Sequence, residues 1–320
     1  MPRLFQKYRL HLYMKSIFVV VLLCLFCYQL PAQHLYSRAF GNPRHTPVIF
    51  IHGGPRGNSV LFEATTAAQL ADKGFYVIVY DRRGEGRSSY ENATLTYQEA
   101  FDDLHRIYQQ YQLQRANLIG FSFGGLVTTL FAAKYPEKIQ SIILTSALFS
   151  QQETYDHILD SVQQIYQQRH DTLELNNVAL VKKSDRNTAS YRSACFTLAG
   201  KNGFFKVPQP DAAARHLYQA YDTSSWRKQD IRHDEAPALF YQHEKRNNIN
   251  VKPPLISLVR RHIPVYALYG KQDGIFSSKM IIDLKNIVGA KNFRYLDNCS
   301  HYLFADQQAL FLQYMQQFLQ

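Results

Sequence analysis

At 320 residues, with 46% hydrophobic and 19% charged residues, the chain can bury a substantial core, which excludes an intrinsically disordered protein and suits one large α/β domain carrying an insertion. Its formal charge of +11 includes four cations in the first 33 residues, which leaves a modest +7 on the remainder. That excess is scattered in short pairs such as Lys182-Lys183, Lys245-Arg246 and Arg260-Arg261, without interleaved aromatics, and reads as solvated surface rather than a nucleic-acid face.

The first 33 residues carry Arg3, Lys7, Arg9 and Lys15, no acids, then an apolar run over 17–28 that ends at Leu30-Pro31-Ala32-Gln33. This is the layout of a secretory signal peptide, with cleavage expected near Ala32 and export to the periplasm or beyond the cell. The run falls short of the roughly 20 residues that cross a bilayer, so no stable membrane span is expected after cleavage. Anchoring by an uncleaved leader is the alternative. Large residues, Leu23 and Phe26, precede Cys24 and Cys27, which disfavours lipid attachment there. Cys195 and Cys299 then remain, too few for a disulfide framework, and whether they pair is left open.

From residue 48 onward, short β-branched runs alternate with longer amphipathic stretches, the pattern of a mainly parallel sheet covered by helices on both faces. Strands are predicted at 48–51, 75–80, 117–120, 139–145, 265–269 and 293–296. Helices are predicted at 62–73, at 97–111 with Phe101, Leu104, Ile107, Tyr108 and Tyr111 on one face, and at 122–134, 279–288 and 307–319. Between them, residues 148–258 lack β-branched runs and are rich in Gln, Tyr and scattered charge, with helical periodicity at 155–168 and 212–221. This stretch is expected to be an inserted helical cap, leaving 34–147 and 259–320 as the core.

Gly120-Phe121-Ser122-Phe123-Gly124 fits Gly-x-Ser-x-Gly where a predicted strand meets a predicted helix, the setting of a nucleophile elbow. A serine hydroxyl needs a base to take its proton, and the base needs a carboxylate to fix its tautomer. Asp273 directly follows a predicted strand, and His301 lies in the loop between the last strand and the last helix, giving the chain order Ser, Asp, His. Asp297 and Asp306 lie near His301 but are weaker candidates for the acid, since neither follows the preceding strand. The oxyanion of a tetrahedral intermediate needs two donors, expected from the backbone N–H of Phe123 and of Gly54 in the Gly-rich loop after the first predicted strand. His52 is expected to bond within that loop rather than act as a base. No ligand spacing implies a metal or another cofactor.

Together these residues resemble the α/β-hydrolase superfamily. His52-Gly53-Gly54-Pro55-Arg56-Gly57 and Asp81-Arg82-Arg83-Gly84-Glu85-Gly86-Arg87-Ser88 are similar to the His-Gly-Gly-Pro-Gly and Asp-Gln-Arg-Gly-x-Gly-x-Ser segments of its proline iminopeptidase branch. The resemblance covers about 46–147 and 264–318 and implies an α/β-hydrolase fold and an aminopeptidase. Two departures stand out. Phe123 follows the nucleophile where relatives carry Trp, and the cap lacks a recognisable segment with the glutamates that hold a substrate amine.

The expectation is therefore a serine hydrolase that cleaves an amide or ester through an acyl-enzyme, with a small molecule or short peptide as substrate. An aminopeptidase needs a carboxylate in the cap for the substrate ammonium, and Glu174, Glu235 and Glu244 are available. The alternative is a carboxylesterase whose acyl pocket is built from aromatics such as Phe204, Phe205 and Trp226. A third reading, of a different class, is a non-catalytic binding protein on the same fold. Oligomeric state leaves no mark in the sequence.

Overall fold

The computed structural model describes residues 35–88 and 92–319; the expected leader lies outside them. Seven strands form one sheet in the order β1-β3-β2-β4-β5-β6-β7. They are β1 (Ser37–Phe40), β2 (Thr46–Ile51), β3 (Phe75–Tyr80), β4 (Ala116–Phe121), β5 (Ile139–Thr145), β6 (Val265–Gly270) and β7 (Phe293–Leu296). All neighbouring pairs are parallel except β1 with β3, which is antiparallel with Ser37 opposite Tyr80. Sequence reading missed β1 because Ser-Arg-Ala-Phe has neither a β-branched residue nor a buried one.

The central strands are buried on both faces, so they read as continuous apolar runs while their side chains alternate between two cores. Ile49, Ile51, Ile78 and Tyr80 enter one core, whereas Val48, Phe50, Val77 and Val79 enter the other. Helices α2 (Tyr97–Gln110) and α3 (Gly124–Lys134) cover the first face. The second face is covered by α1 (residues 60–72) and by the C-terminal helices α11 (Leu303–Asp306) and α12 (Gln308–Leu319). Helix α1 is one segment made of Val60–Phe62, a π-helical stretch Glu63–Ala67, and Ala68–Asp72.

Between β5 and β6 the chain is helical: α4 (Gln151–Gln168), α5 (Thr172–Lys183), α6 (Ala189–Lys201), α7 (Ala212–Thr223), α8 (Ala236–His243) and α9 (Lys252–Arg260). Helix α10 (Ser278–Val288) follows β6. The boundary expected at 258/259 falls inside α9, which packs against α3 and α10. Side chains start four of these helices: Asp171, Thr188, Asp211 and Ser277 each accept a hydrogen bond from the backbone N–H three residues on. No helix among the described residues is long and apolar enough to cross a membrane. Cys195 and Cys299 are separate, buried thiols; burial pushes Cys195 up to about 12 and Cys299 higher still.

Candidate active site

Ser122 sits between β4 and α3 with φ at +52°, in the left-handed region that a side chain enters at a cost. The strain is held from several sides. The Ser122 carbonyl accepts from Gly125 N–H at 2.9 Å and from Leu148 N–H at 2.8 Å, which ties the turn to the loop after β5. Gly124 allows the approach beneath: a Cβ there would collide with the carbonyl oxygen of Ile51 at the end of β2. Phe123 points down into an aromatic cluster, stacked on Tyr97 at 5.8 Å and edge-on to Phe240 at 5.2 Å, so its ring is structural filling.

Asp273 and His301 follow β6 and β7, and they meet: His301 Nδ1 lies 2.9 Å from Asp273 Oδ2, with both side chains nearly inaccessible to solvent. An ionised carboxylate only accepts, so Nδ1 donates to it, and in the neutral imidazole Nε2 is the nitrogen left with the lone pair. Phe121 and Phe205 flank the imidazole with centroids at 5.0 and 5.2 Å. The two loops are zipped together. Gln272 N–H donates to Cys299 O at 2.9 Å and Cys299 N–H to Gln272 Oε1 at 2.8 Å. Asp306 supports the histidine loop by accepting from Ser300 N–H at 2.8 Å and from Tyr218 Oη at 2.8 Å, whereas Asp297 pairs with Lys271 in solvent.

The loop after β2 is fixed by its neighbour after β3. Arg82 N–H donates to His52 Nε2 at 2.9 Å, so the His52 proton is on Nδ1, which donates to Gly53 O at 2.6 Å. Burial, with the Arg82 charge, pulls the His52 imidazole down to about 4, which keeps it neutral. The Arg82 guanidinium bonds His52 O at 2.6 Å, Gly53 O at 2.8 Å and Glu85 Oε2 at 2.8 Å. Glu85 in turn accepts from Gly57 N–H at 2.9 Å. With the Gly53 carbonyl held on one side, the N–H of Gly54 across the same planar peptide faces the other way. Neither that N–H nor that of Phe123 donates to a backbone acceptor among the described residues.

These pieces line one cavity of about 770 Å³, which includes Gly53, Gly54, Phe121, Ser122, Phe205 and His301. It lies at the carboxyl ends of β2, β4, β6 and β7, where open α/β sheets build their sites. None of Glu174, Glu235 and Glu244 lines it. Glu174 pairs with Lys201 at 3.1 Å, Glu235 is exposed beside His233, and Glu244 accepts from Tyr97 N–H at 3.0 Å. The charged residues that do line it are Arg56, Arg192, Asp230, Arg232 and Asp234. Sequence reading missed them because most come from insertion segments without a motif. Of the aromatics, Phe205 lines the cavity, Phe204 packs on Gly274 beside Asp273, and Trp226 stands away from the cavity under Arg38.

The sequence profile described as alpha/beta hydrolase fold matches residues 46–308. A Mycoplasma pneumoniae protein named provisionally as a proline iminopeptidase is 23% identical over 84% of this chain and 89% of its own. The proline iminopeptidase of Lactobacillus delbrueckii subsp. bulgaricus is 34% identical, over 36% of this chain and 41% of its own. Among solved structures, the proline iminopeptidase of Mycobacterium smegmatis superposes with a TM-score of 0.62 at 18% identity, over 90% of this chain and 95% of that one. An esterase from Exiguobacterium antarcticum gives 0.56 at 18% identity, over 89% and 95%. Such distant structures speak to the fold alone, and they agree with the profile: the chain belongs to the α/β-hydrolase fold family.

Proposed function

We propose that the protein is a serine hydrolase in which Ser122 is the nucleophile, His301 the general base and then acid, and Asp273 the residue that orients it. The observation that carries this is the Asp273–His301 bond at 2.9 Å beside the same cavity as a serine held at φ +52°. Ser122 Oγ attacks the substrate carbonyl carbon while its proton passes to His301 Nε2. The carbonyl π electrons move to oxygen, held by the N–H groups of Gly54 and Phe123. Collapse breaks the bond to the leaving amine or alcohol, which takes the proton from Nε2. Water then attacks the acyl-enzyme, gives a proton to Nε2, and releases the acid as Ser122 recovers its hydrogen.

The finer reading is an aminopeptidase of the proline iminopeptidase type, supported by the names of the relatives and by the two carboxylates, Asp230 and Asp234, on the cavity wall. A second reading, a carboxylesterase on small acyl esters, is favoured by a different fact. Both carboxylates are already engaged, Asp234 by Arg56 and Asp230 by Arg232 at 3.1 Å, while Phe121, Phe196 and Phe205 offer an apolar wall. The leader motivates the further proposal of export, which N-terminal sequencing of the mature protein tests: an intact Met1 would remove it.

The deciding experiment compares the protein with Ser122→Ala on a prolyl arylamide, other aminoacyl arylamides and short p-nitrophenyl esters. Prolyl amide turnover lost in the variant supports the aminopeptidase, and ester-only turnover lost in the variant supports the esterase. Activity that survives Ser122→Ala sinks the nucleophile assignment.

A further inference from the structure

Five charged side chains line the cavity, three arginines and two aspartates. Arg56 pairs with Asp234 and Arg232 with Asp230. Arg192, half-buried on α6, has no carboxylate partner among the described residues. Its Nη2 donates to Gly54 O at 2.7 Å, its guanidinium lies 4.8 Å from the Phe196 ring, and its Nε is buried without an acceptor. Its Nη1 is not among the buried atoms and donates to nothing among the described residues, which leaves the outer edge of a half-buried cation open to an anion in the cavity. The guanidinium fork matches a carboxylate, which takes two parallel bonds.

Arg56 adds a second sign of the same selection. It occupies the position where the resembled His-Gly-Gly-Pro-Gly segment ends in glycine, and it keeps φ at +87°. An arginine there carries a backbone cost that glycine does not. In return, its pairing neutralises Asp234 and leaves the wall net positive.

Resting on the reading of Ser122 as nucleophile, we infer that the cavity selects substrates that bear a carboxylate near the scissile carbonyl, with Arg192 as the residue that binds it. The guanidinium touches the carbonyl of Gly54, whose own N–H is the proposed oxyanion donor. A hydrogen bond at each end puts the two substrate groups on the order of 6–8 Å apart. That span fits a glutaryl-type acyl group or the terminal carboxylate of a dipeptide. A carboxylate at that distance on either side of the cleaved bond satisfies the same fork.

Binding is measured without turnover, by calorimetry on the Ser122→Ala protein with glutarate and with glutaramide. Glutarate binds at least tenfold more tightly, the difference disappears in Ser122→Ala/Arg192→Gln, and part of it returns with Arg192→Lys. Equal affinity for the two probes, which needs no Arg192 variant to observe, overturns the inference, as does a difference that survives Arg192→Gln. Two turnover ratios on the unaltered protein locate the carboxylate. The p-nitrophenyl glutarate monoester against p-nitrophenyl valerate reads the acyl side, and prolyl-glycine against prolyl-glycinamide reads the leaving side. The acid is preferred at least tenfold in one arm; ratios near one in both arms overturn the inference. Failure of the nucleophile reading is distinct: hydrolysis then persists in Ser122→Ala, whatever glutarate does.

Discussion

Replacing Arg82 with methionine tests whether the loop after β3 builds the oxyanion site. Methionine keeps much of the stem and removes the donors to His52 O, Gly53 O and Glu85. The Glu85 carboxylate, 1% exposed, would keep only Gly57 N–H, and breaking a buried pair in this way costs about 3–5 kcal/mol. That is a large part of the roughly 5–15 kcal/mol that holds a typical domain together, so the single variant is expected to unfold readily. Arg82→Met/Glu85→Gln removes the stranded charge as well and is the informative protein. In it the Gly53 carbonyl keeps only the His52 bond, and the Gly53–Gly54 peptide is free to rock. Losing the alignment of one oxyanion donor lowers kcat by about 10²–10³, or roughly 2.7–4 kcal/mol of transition-state stabilisation. KM on p-nitrophenyl acetate should move little, because the donor acts on charge that develops after binding. A double variant that is folded by circular dichroism yet keeps kcat within about threefold of the parent would refute the argument.

Asp273→Asn offers Nδ1 a donor or a mis-set acceptor in place of a carboxylate and should lower kcat about ten-thousand-fold with the fold intact. Gly270→Ala would drive a Cβ into the carbonyls of Cys299 and Ser300 and separate the acid and base loops; a kcat loss at nearly constant KM is the expected signature in steady-state kinetics. His52 gives a pH prediction. Its folded-state value of about 4 lies below the roughly 6.5 of an unfolded chain, so the unfolded state binds the extra proton between those limits. Its contribution is whole above pH 6.5 and is lost as pH falls toward 4, on the order of 3 kcal/mol. Glutamine can donate and accept at the same two points, so His52→Gln should lose less stability over that range in urea melts; parallel losses would count against the burial argument.

The core was legible in the sequence because its strands are buried on both faces and announce themselves as apolar runs, as in Phe75–Tyr80 and Ile139–Thr145. Ser122, Asp273 and His301 could be singled out together because each follows such a run and the proposed order of the three is restrictive, and the fold brings them to one edge of the sheet. The insertion was not. In α6, Tyr191, Cys195, Leu198 and Ala199 are buried while Arg192 and Ser193 face the cavity, so polar and apolar residues do not sort into a simple stripe. Carboxylates chosen there by residue type alone, Glu174, Glu235 and Glu244, are drawn to partners away from the cavity, because local ion pairs and helix starts compete for them. The aspartates that do line the wall, Asp230 and Asp234, flank a short 3-10 turn and a helix start where no periodicity marks them.

Gly274, next to Asp273, donates its N–H to the carbonyl of Phe204 at 2.9 Å, and the Phe204 ring fills the space where a side chain at 274 would stand. The inserted helices are thus not a detachable module. A chimera that grafts another family member's insertion onto this sheet would cut the tie that seats the acid loop, and would lose turnover before any question of specificity arose. Transplants that carry residues 199–206 with the recipient's own acid loop are the ones that should keep their chemistry.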